Sequence, residues 1–260
     1  MLVDTHAHLN FPDYQEDIDQ VIKNSCAAGV TKIICASSNV ADSEKAVEIA
    51  RRFPGTVFAA CGIHPQQTDP ENTDSVDEQI EKLEKLAENK EVVAIGECGL
   101  DFSPAPPGEK DRSKEEQILL FKKQIELSLK LDLPLIIHTR KAFEDTLAVL
   151  SAYRHLRGVL HCYSNGKKGI QKVEELGFYF GLDGNLSYDA GLQSVASLIP
   201  LEKIILETDS PFLAPEPLRG SRNEPANVKI TASRLAEVKN VSLAELAEKT
   251  SANAANLFGI

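Results

Sequence analysis

Short runs of β-branched and other apolar residues alternate along this chain with longer stretches in which apolar positions recur three and four apart. The runs predict strands at Leu2 to Thr5, Lys32 to Ala36, Val57 to Cys61, Val92 to Glu97, Leu135 to His138, Gly158 to His161, Tyr179 to Leu182 and Lys203 to Glu207. Between them, segments such as SVDEQIEKLEKLAEN and EEQILLFKKQIELSLKL carry one apolar stripe each, which a helix must bury against a neighbour. Strand and helix in strict alternation are the pattern of a parallel sheet covered by helices. Eight consecutive units predict a single (β/α)₈ TIM barrel with the helices outside, in preference to an open doubly wound sheet. No GxGxxG follows any strand, so the usual dinucleotide-binding fingerprint is missing.

No internal repeat beyond this rhythm and no dividing linker is found, so residues 1–260 are expected to form one barrel domain. The Pro-rich, charged segment SPAPPGEKDRSKE at 103–115 reads as a surface loop after the fourth strand. The tail VSLAELAEKTSANAANLFGI predicts a last helix packed on the barrel, with Ser242 and Glu245 spaced for a capping box.

Composition narrows the class. The chain is 42% apolar and 26% charged without a low-complexity tract, as expected of a soluble globular protein. Residues 1–10 lack the basic and apolar regions of a signal peptide, and no run is long and apolar enough to span a bilayer. Five widely spaced cysteines, an odd number with no CxxC pair, read as reduced thiols in a cytoplasmic protein. With 28 basic against 39 acidic residues, a net charge of −11 argues against a protein that coats duplex DNA by bulk electrostatics. Nucleic acid would have to be gripped locally, where bound metal supplies positive charge. No obligate protein partner is evident in the pattern.

The chemistry is concentrated at strand ends. The first strand runs into Asp4-Thr5-His6-Ala7-His8, and residues two apart in a strand share a side, so both imidazoles can face one metal. Glu97 closes the fourth strand, His138 the fifth and His161 the sixth, while Asp209 follows the eighth. A barrel builds its active site at this carboxyl end, and ionisable groups terminating five apolar runs have no packing explanation. Closure makes the eighth strand a neighbour of the first and brings Asp209 beside His6 and His8. His6, His8, Glu97, His138, His161 and Asp209 are too many ligands for one catalytic zinc, which takes three from protein. Two divalent metal ions (Zn, Mn or Mg) accommodate them, with Glu97 or a hydroxide bridging. Asp209 is the candidate for handling the proton of the attacking water.

The segments VDTHAHLN, GIHP, AIGECGLDF, LPLIIHTRKA, HCYSNG and LETDSPFLAPEPLRGSRNEPANV resemble those of TatD-family hydrolases, in family order over nearly the whole chain. The resemblance implies a metal-dependent hydrolase of the amidohydrolase superfamily. Its expected activity is that of a deoxyribonuclease cleaving DNA phosphodiester bonds. The same six residues match the family's metal ligands by position. Hydrolysis of another ester or an amide, such as an aminoacyl-tRNA ester, and a non-catalytic metal-binding barrel are the alternatives. Cys98, Tyr163 and the 103–115 loop depart from the family pattern and bear on substrate preference.

Other residues flank the expected site. His64, in Gly62-Ile63-His64-Pro65 after the third strand, reads as a substrate-phosphate contact or as a turn histidine. Arg222 reads as a phosphate contact or a structural salt bridge, with Glu224 capping a helix or orienting it. Arg140 stands beside His138, and Lys167 and Lys168 follow HCYSNG, as weaker candidates for the same contact. Asp4 reads as a brace for a ligand imidazole or as the end of strand pairing, and His155 as a histidine at the opposite end of the barrel.

Overall fold

The computed structural model describes residues 1–67, 74–104 and 112–260. Its strands follow one another around the sheet in chain order, each parallel to the next: β1 (Leu2–Ala7), β2 (Val30–Cys35), β3 (Val57–Cys61), β4 (Val92–Asp101), β5 (Leu135–Arg140), β6 (Gly158–Leu160), β7 (Tyr179–Leu182) and β8 (Ile204–Leu206). Outside them lie α1 (Ile18–Ala27), α2 (Val40–Arg52), α3 (Val76–Ala87), α4 (Lys114–Leu131), α5 (Phe143–Ser151), α6 (Lys167–Glu175), α7 (Ala190–Ala196), α8 (Val228–Lys239) and α9 (Leu243–Phe258). The expected (β/α)₈ barrel is therefore the fold. Among the described residues no helix is long and apolar enough to cross a membrane.

The barrel closes just past the end of β8. Ala7 and Ser210 form a parallel bridge, the Asp209 N–H donates to His6 O at 2.9 Å, and the His8 N–H donates to Ser210 O at 2.7 Å. Asp4 clamps the same seam: its buried carboxylate accepts from the Thr208 N–H at 2.9 Å, the Thr208 hydroxyl at 2.6 Å and the His6 N–H at 3.3 Å. It thus grips two backbone N–H groups and the Thr208 hydroxyl rather than an imidazole.

Val3, Ile34, Ala60, Ile136, Val159 and Ile205 form a cluster inside the barrel, below the site, with Leu257 and Phe258 of α9 packed against it. The tail therefore ends where the sequence placed it, on the barrel. Its first turn is capped by the Ser242 hydroxyl, which accepts from the Glu245 N–H at 3.1 Å, one half of the expected capping box.

β4 and β5 run further than their apolar segments suggest. β4 continues through Glu97 to Asp101, with an irregular register between Ile95 and Cys98, and pairs Gly99 with His138 and Asp101 with Arg140. Glycine is required in that extension, because a Cβ on Gly99 would stand 2.0 Å from His138 O and its φ is +141°. Of the 103–115 segment, residues 105–111 lie outside the described residues, and Ser113 already caps α4 in a reciprocal capping box with Glu116.

Candidate active site

The carboxyl ends of the strands bring all six expected ligands together. His6 and His8 approach each other through their Nε2 atoms at 3.2 Å. Glu97 Oε2 lies 3.4 Å from His6 Nε2 and 3.7 Å from His8 Nε2, and Asp209 Oδ1 lies 3.6 Å and 3.4 Å from the same two atoms. A tetrahedral ion bonded at about 2.0–2.1 Å holds its ligand atoms about 3.3 Å apart, so these four donors are spaced to surround a small divalent cation. Asp209 reaches this position with φ at +54°, a left-handed conformation that aspartate tolerates. The backbone bonds across the seam fix it there.

The other oxygen of Glu97 faces a different set. Oε1 is 2.8 Å from His138 Nδ1, 3.5 Å from His161 Nε2 and 4.0 Å from His64 Nε2. One carboxylate therefore stands between two groups of donors, and the donor chemistry of each, imidazole with carboxylate, suits a borderline divalent ion. His6 and His161, one from each group, stack with centroids 3.8 Å apart.

A second layer of carboxylates orients the imidazoles. Glu207, fully buried, accepts from His161 Nδ1 at 3.0 Å and from the Cys162 N–H. Asp101 Oδ2 lies 3.3 Å from His138 Nε2, and its Oδ1 accepts from the Ser103 N–H at 2.8 Å. Such partners fix which ring nitrogen is free for a metal. Sequence reasoning missed both. The available signals were the shared parity of Glu207 and Asp209 in Glu207-Thr208-Asp209, and the glycine that keeps β4 extended to Asp101. Glu207 also explains a glycine: a Cβ on Gly181 would stand 2.5 Å from Glu207 Oε2.

Burial opposes charge on each of these groups, and their mutual contacts decide the outcome. It would raise the Glu97 carboxyl, yet the imidazoles of His161 and His6 and the bond to His138 hold it well below the usual range. Asp209 is likewise lowered against burial, by its bond to His8 and the nearby His161 and His6. Burial would depress His138, but the bonds to Asp101 and Glu97 lift it to about 8. Glu207 and Glu97 carry His161 well above its ordinary value against the same burial. His6, by contrast, is lowered by burial and by His161. Burial and His138 push His64 down to about 3. Without a cation, the buried carboxylates draw protons onto the imidazoles nearest them.

His8, Glu97, Asp101, His138, His161 and Asp209 line a cleft of about 400 Å³ that also takes in Phe11, Ser38, His64, Gln66, Arg140 and Phe212. His64 Nδ1 accepts from the Gln66 N–H at 3.2 Å, which leaves its proton on the Nε2 facing Glu97. Arg140 is exposed on the rim and is the one lysine or arginine among the described lining residues. Arg222 is placed elsewhere: its guanidinium pairs with Asp17 at 3.0 and 2.7 Å and with Glu224 at 2.8 Å, and lies over the Tyr14 ring. Lys167 and Lys168 are exposed in the first turn of α6, outside the cleft lining. His155 sits in an exposed turn before β6, at the opposite end of the barrel.

Asn223, next to Arg222, is the buried hub of the loop after β8. Its side-chain amide donates to Thr208 O at 3.0 Å and Phe212 O at 2.7 Å, and its own carbonyl accepts from the Tyr14 hydroxyl at 2.6 Å. This role depends on contacts remote in sequence, and the motif alone does not announce it.

Comparison with known proteins agrees with this geometry. Residues 3–259 match the family model described as TatD related DNase. The chain is 34% identical over 266 residues to the metal-dependent hydrolase YabD of Bacillus subtilis, covering 100% of each. It is 34% identical over 261 residues to the human deoxyribonuclease TATDN3, covering 99% of this chain and 94% of that one. The crystal structure of YJJV, a TatD homologue from Escherichia coli, superposes with a TM-score of 0.88 at 27% identity, covering 100% of this chain and 98% of the other. The strand-end donors and the match along the whole barrel lead to one assignment: this chain belongs to the TatD family of metal-dependent hydrolases.

Proposed function

We propose that the chain is a deoxyribonuclease that holds two divalent cations, Zn, Mn or Mg, and hydrolyses DNA phosphodiester bonds. The observation that carries the reading is Glu97, whose two oxygens face two separate donor sets. His6, His8, Asp209 and Glu97 would hold one cation, and His138, His161 and Glu97 the other. When bound, such a pair polarises a phosphoryl oxygen and acidifies a water.

The chain's own groups divide the remaining work. Asp209, kept ionised and lining the cleft, is positioned to accept the proton of the attacking water. Glu97, held ionised, keeps the two donor sets in fixed relation. Asp101 and Glu207 orient His138 and His161. His64, neutral and carrying its proton on Nε2, is placed to donate to a phosphate oxygen, and Arg140 on the rim to pair with the backbone. The human relative's description as a deoxyribonuclease supports DNA as the substrate. The five free cysteines support a reducing, cytoplasmic location, which fractionation of cells carrying a tagged chain would check.

The test uses metal-stripped protein reloaded with Zn²⁺, Mn²⁺ or Mg²⁺, and end-labelled single- and double-stranded DNA. Metal-dependent cleavage that disappears in His6→Ala and Asp209→Ala is expected. Turnover of an aminoacyl-tRNA ester, with no DNA cleavage above those variants, would reject the nuclease reading.

A further inference from the structure

Phe212 is exposed to 52% although it stands beside a buried metal-ligand cluster, its ring centroid 6.3 Å from that of His8. Its backbone is fixed on both sides: the N–H donates to Asp209 O at 2.9 Å, and the carbonyl accepts from the Asn223 side chain at 2.7 Å. An apolar ring on a rigid backbone is thus left facing the cleft with its surface uncovered. Phe11 completes the feature. It stacks on His8 at 4.6 Å, its N–H donates to His8 O at 3.1 Å, and its ring meets that of Phe212 at 76° with centroids 6.1 Å apart. The two rings form an inside corner on the wall of the same cleft.

We infer that this corner is a nucleobase subsite: Phe212 stacks the base of a nucleotide adjacent to the scissile phosphate, and Phe11 packs against its edge. The inference rests on the nuclease reading above and adds a positioning residue to it. Away from the metal donors, charge favours a stacking contact. A chain of net charge −11, with Arg140 as the one basic residue among the described cleft-lining side chains, draws little affinity from its own side chains for the phosphates flanking the metal-held one. Aromatic stacking serves any base and requires no charge. The corner's position beside His8 tethers the stacked base to a phosphate held at the metal donors.

The experiment is a walk of a single abasic nucleotide along a thymidine oligonucleotide, with kcat and KM measured for wild type, Phe212→Ala and Phe212→Trp, all metal-loaded. Wild type should show a KM roughly five- to a hundredfold higher when the abasic residue falls at one position next to the cleaved bond. Phe212→Ala should raise KM on the intact oligonucleotide by a similar factor, lose that position's abasic penalty, and leave the change concentrated in KM. Phe212→Trp should restore both. An abasic penalty of equal size in wild type and Phe212→Ala would overturn the subsite while leaving the nuclease reading intact. So would a Phe212→Ala defect confined to kcat with loss of bound metal. Failure of wild type to cut any oligonucleotide would remove the nuclease reading, and the subsite with it.

Discussion

Replacing Glu207 by glutamine separates the role of a buried charge from that of a shape. Glu207 is fully buried, and its Oε1 receives both His161 Nδ1–H, at 3.0 Å, and the Cys162 N–H. Glutamine fills the same volume and retains an acceptor, so the geometry of the loop after β6 should survive. What is lost is the charge that carries the His161 pKa well above the ordinary value and would make it a more basic donor to a cation. Removing a carboxylate of this kind behind a metal-bound histidine costs about 10- to 100-fold in metal affinity, equivalent to about 1.4–2.8 kcal/mol. The gross attraction of two unit charges about 4 Å apart at an effective dielectric of about 20 is about 4 kcal/mol, an upper bound on the effect. A Zn²⁺ competition titration against a chromogenic chelator measures the affinity, and calorimetry in two buffers of different ionisation enthalpy counts the protons released. Glu207→Gln should bind Zn²⁺ about 10- to 100-fold more weakly. It should release fewer protons at pH 7, since its His161 already lacks the one that wild type must expel. Unchanged affinity together with an unchanged proton count would refute the reasoning and leave Glu207 a packing residue over Gly181.

Three further outcomes follow from the structure. His138, lifted to about 8, and His161, raised well above its ordinary value, favour protons that a cation must displace, so affinity should weaken about tenfold per displaced proton for each unit of pH falling below about 8; a Kd constant from pH 7 to 9 would contradict this. In metal-free protein the sign reverses: the folded pKa of His138 lies above the ordinary 6.5, so its contribution, about 2 kcal/mol, is complete below pH 6.5 and is lost as pH rises through about 8, which thermal melts in chelator over that window would register. Arg222→Ala should cost about 1 kcal/mol and lower the melting temperature by about 2–4 °C, because it frees Asp17 and Glu224 at a partly exposed site, with less than about threefold change in kcat/KM; a tenfold rise in KM would instead assign Arg222 to substrate.

The barrel was legible because each strand is a short apolar run, and such runs cannot be hidden. What escaped lies where polarity and extension part company. Glu97 reads as the end of a strand, yet the chain stays paired to Asp101, because the glycine at 99 admits β5's backbone where any side chain would collide. Asp101 and its grip on His138 were lost with that boundary. Asp4 was ambiguous for a different reason: its partner Thr208 is 204 residues away, and no local pattern reveals which side chain a barrel seam will bring opposite another. The six strand-end donors were found because strand parity and barrel closure are enough to converge them. Arg222 shows the limit of that logic. Its distance along the chain from β8 is short, but the loop around Asn223 turns the guanidinium toward Asp17 at the start of α1.

The seam between β1 and β8 has a consequence for assembly. His6 and His8 come from the end of the first strand and Asp209 from just beyond the last, so one donor set draws on the two ends of the strand order and exists only once the ring has closed. A cation held there would act as a clasp on the cylinder, tying its first and last staves together. Occupancy would then report that the barrel is complete, and a chain whose ring had not yet shut would hold neither a working centre nor a tight metal that could act before the fold is ready.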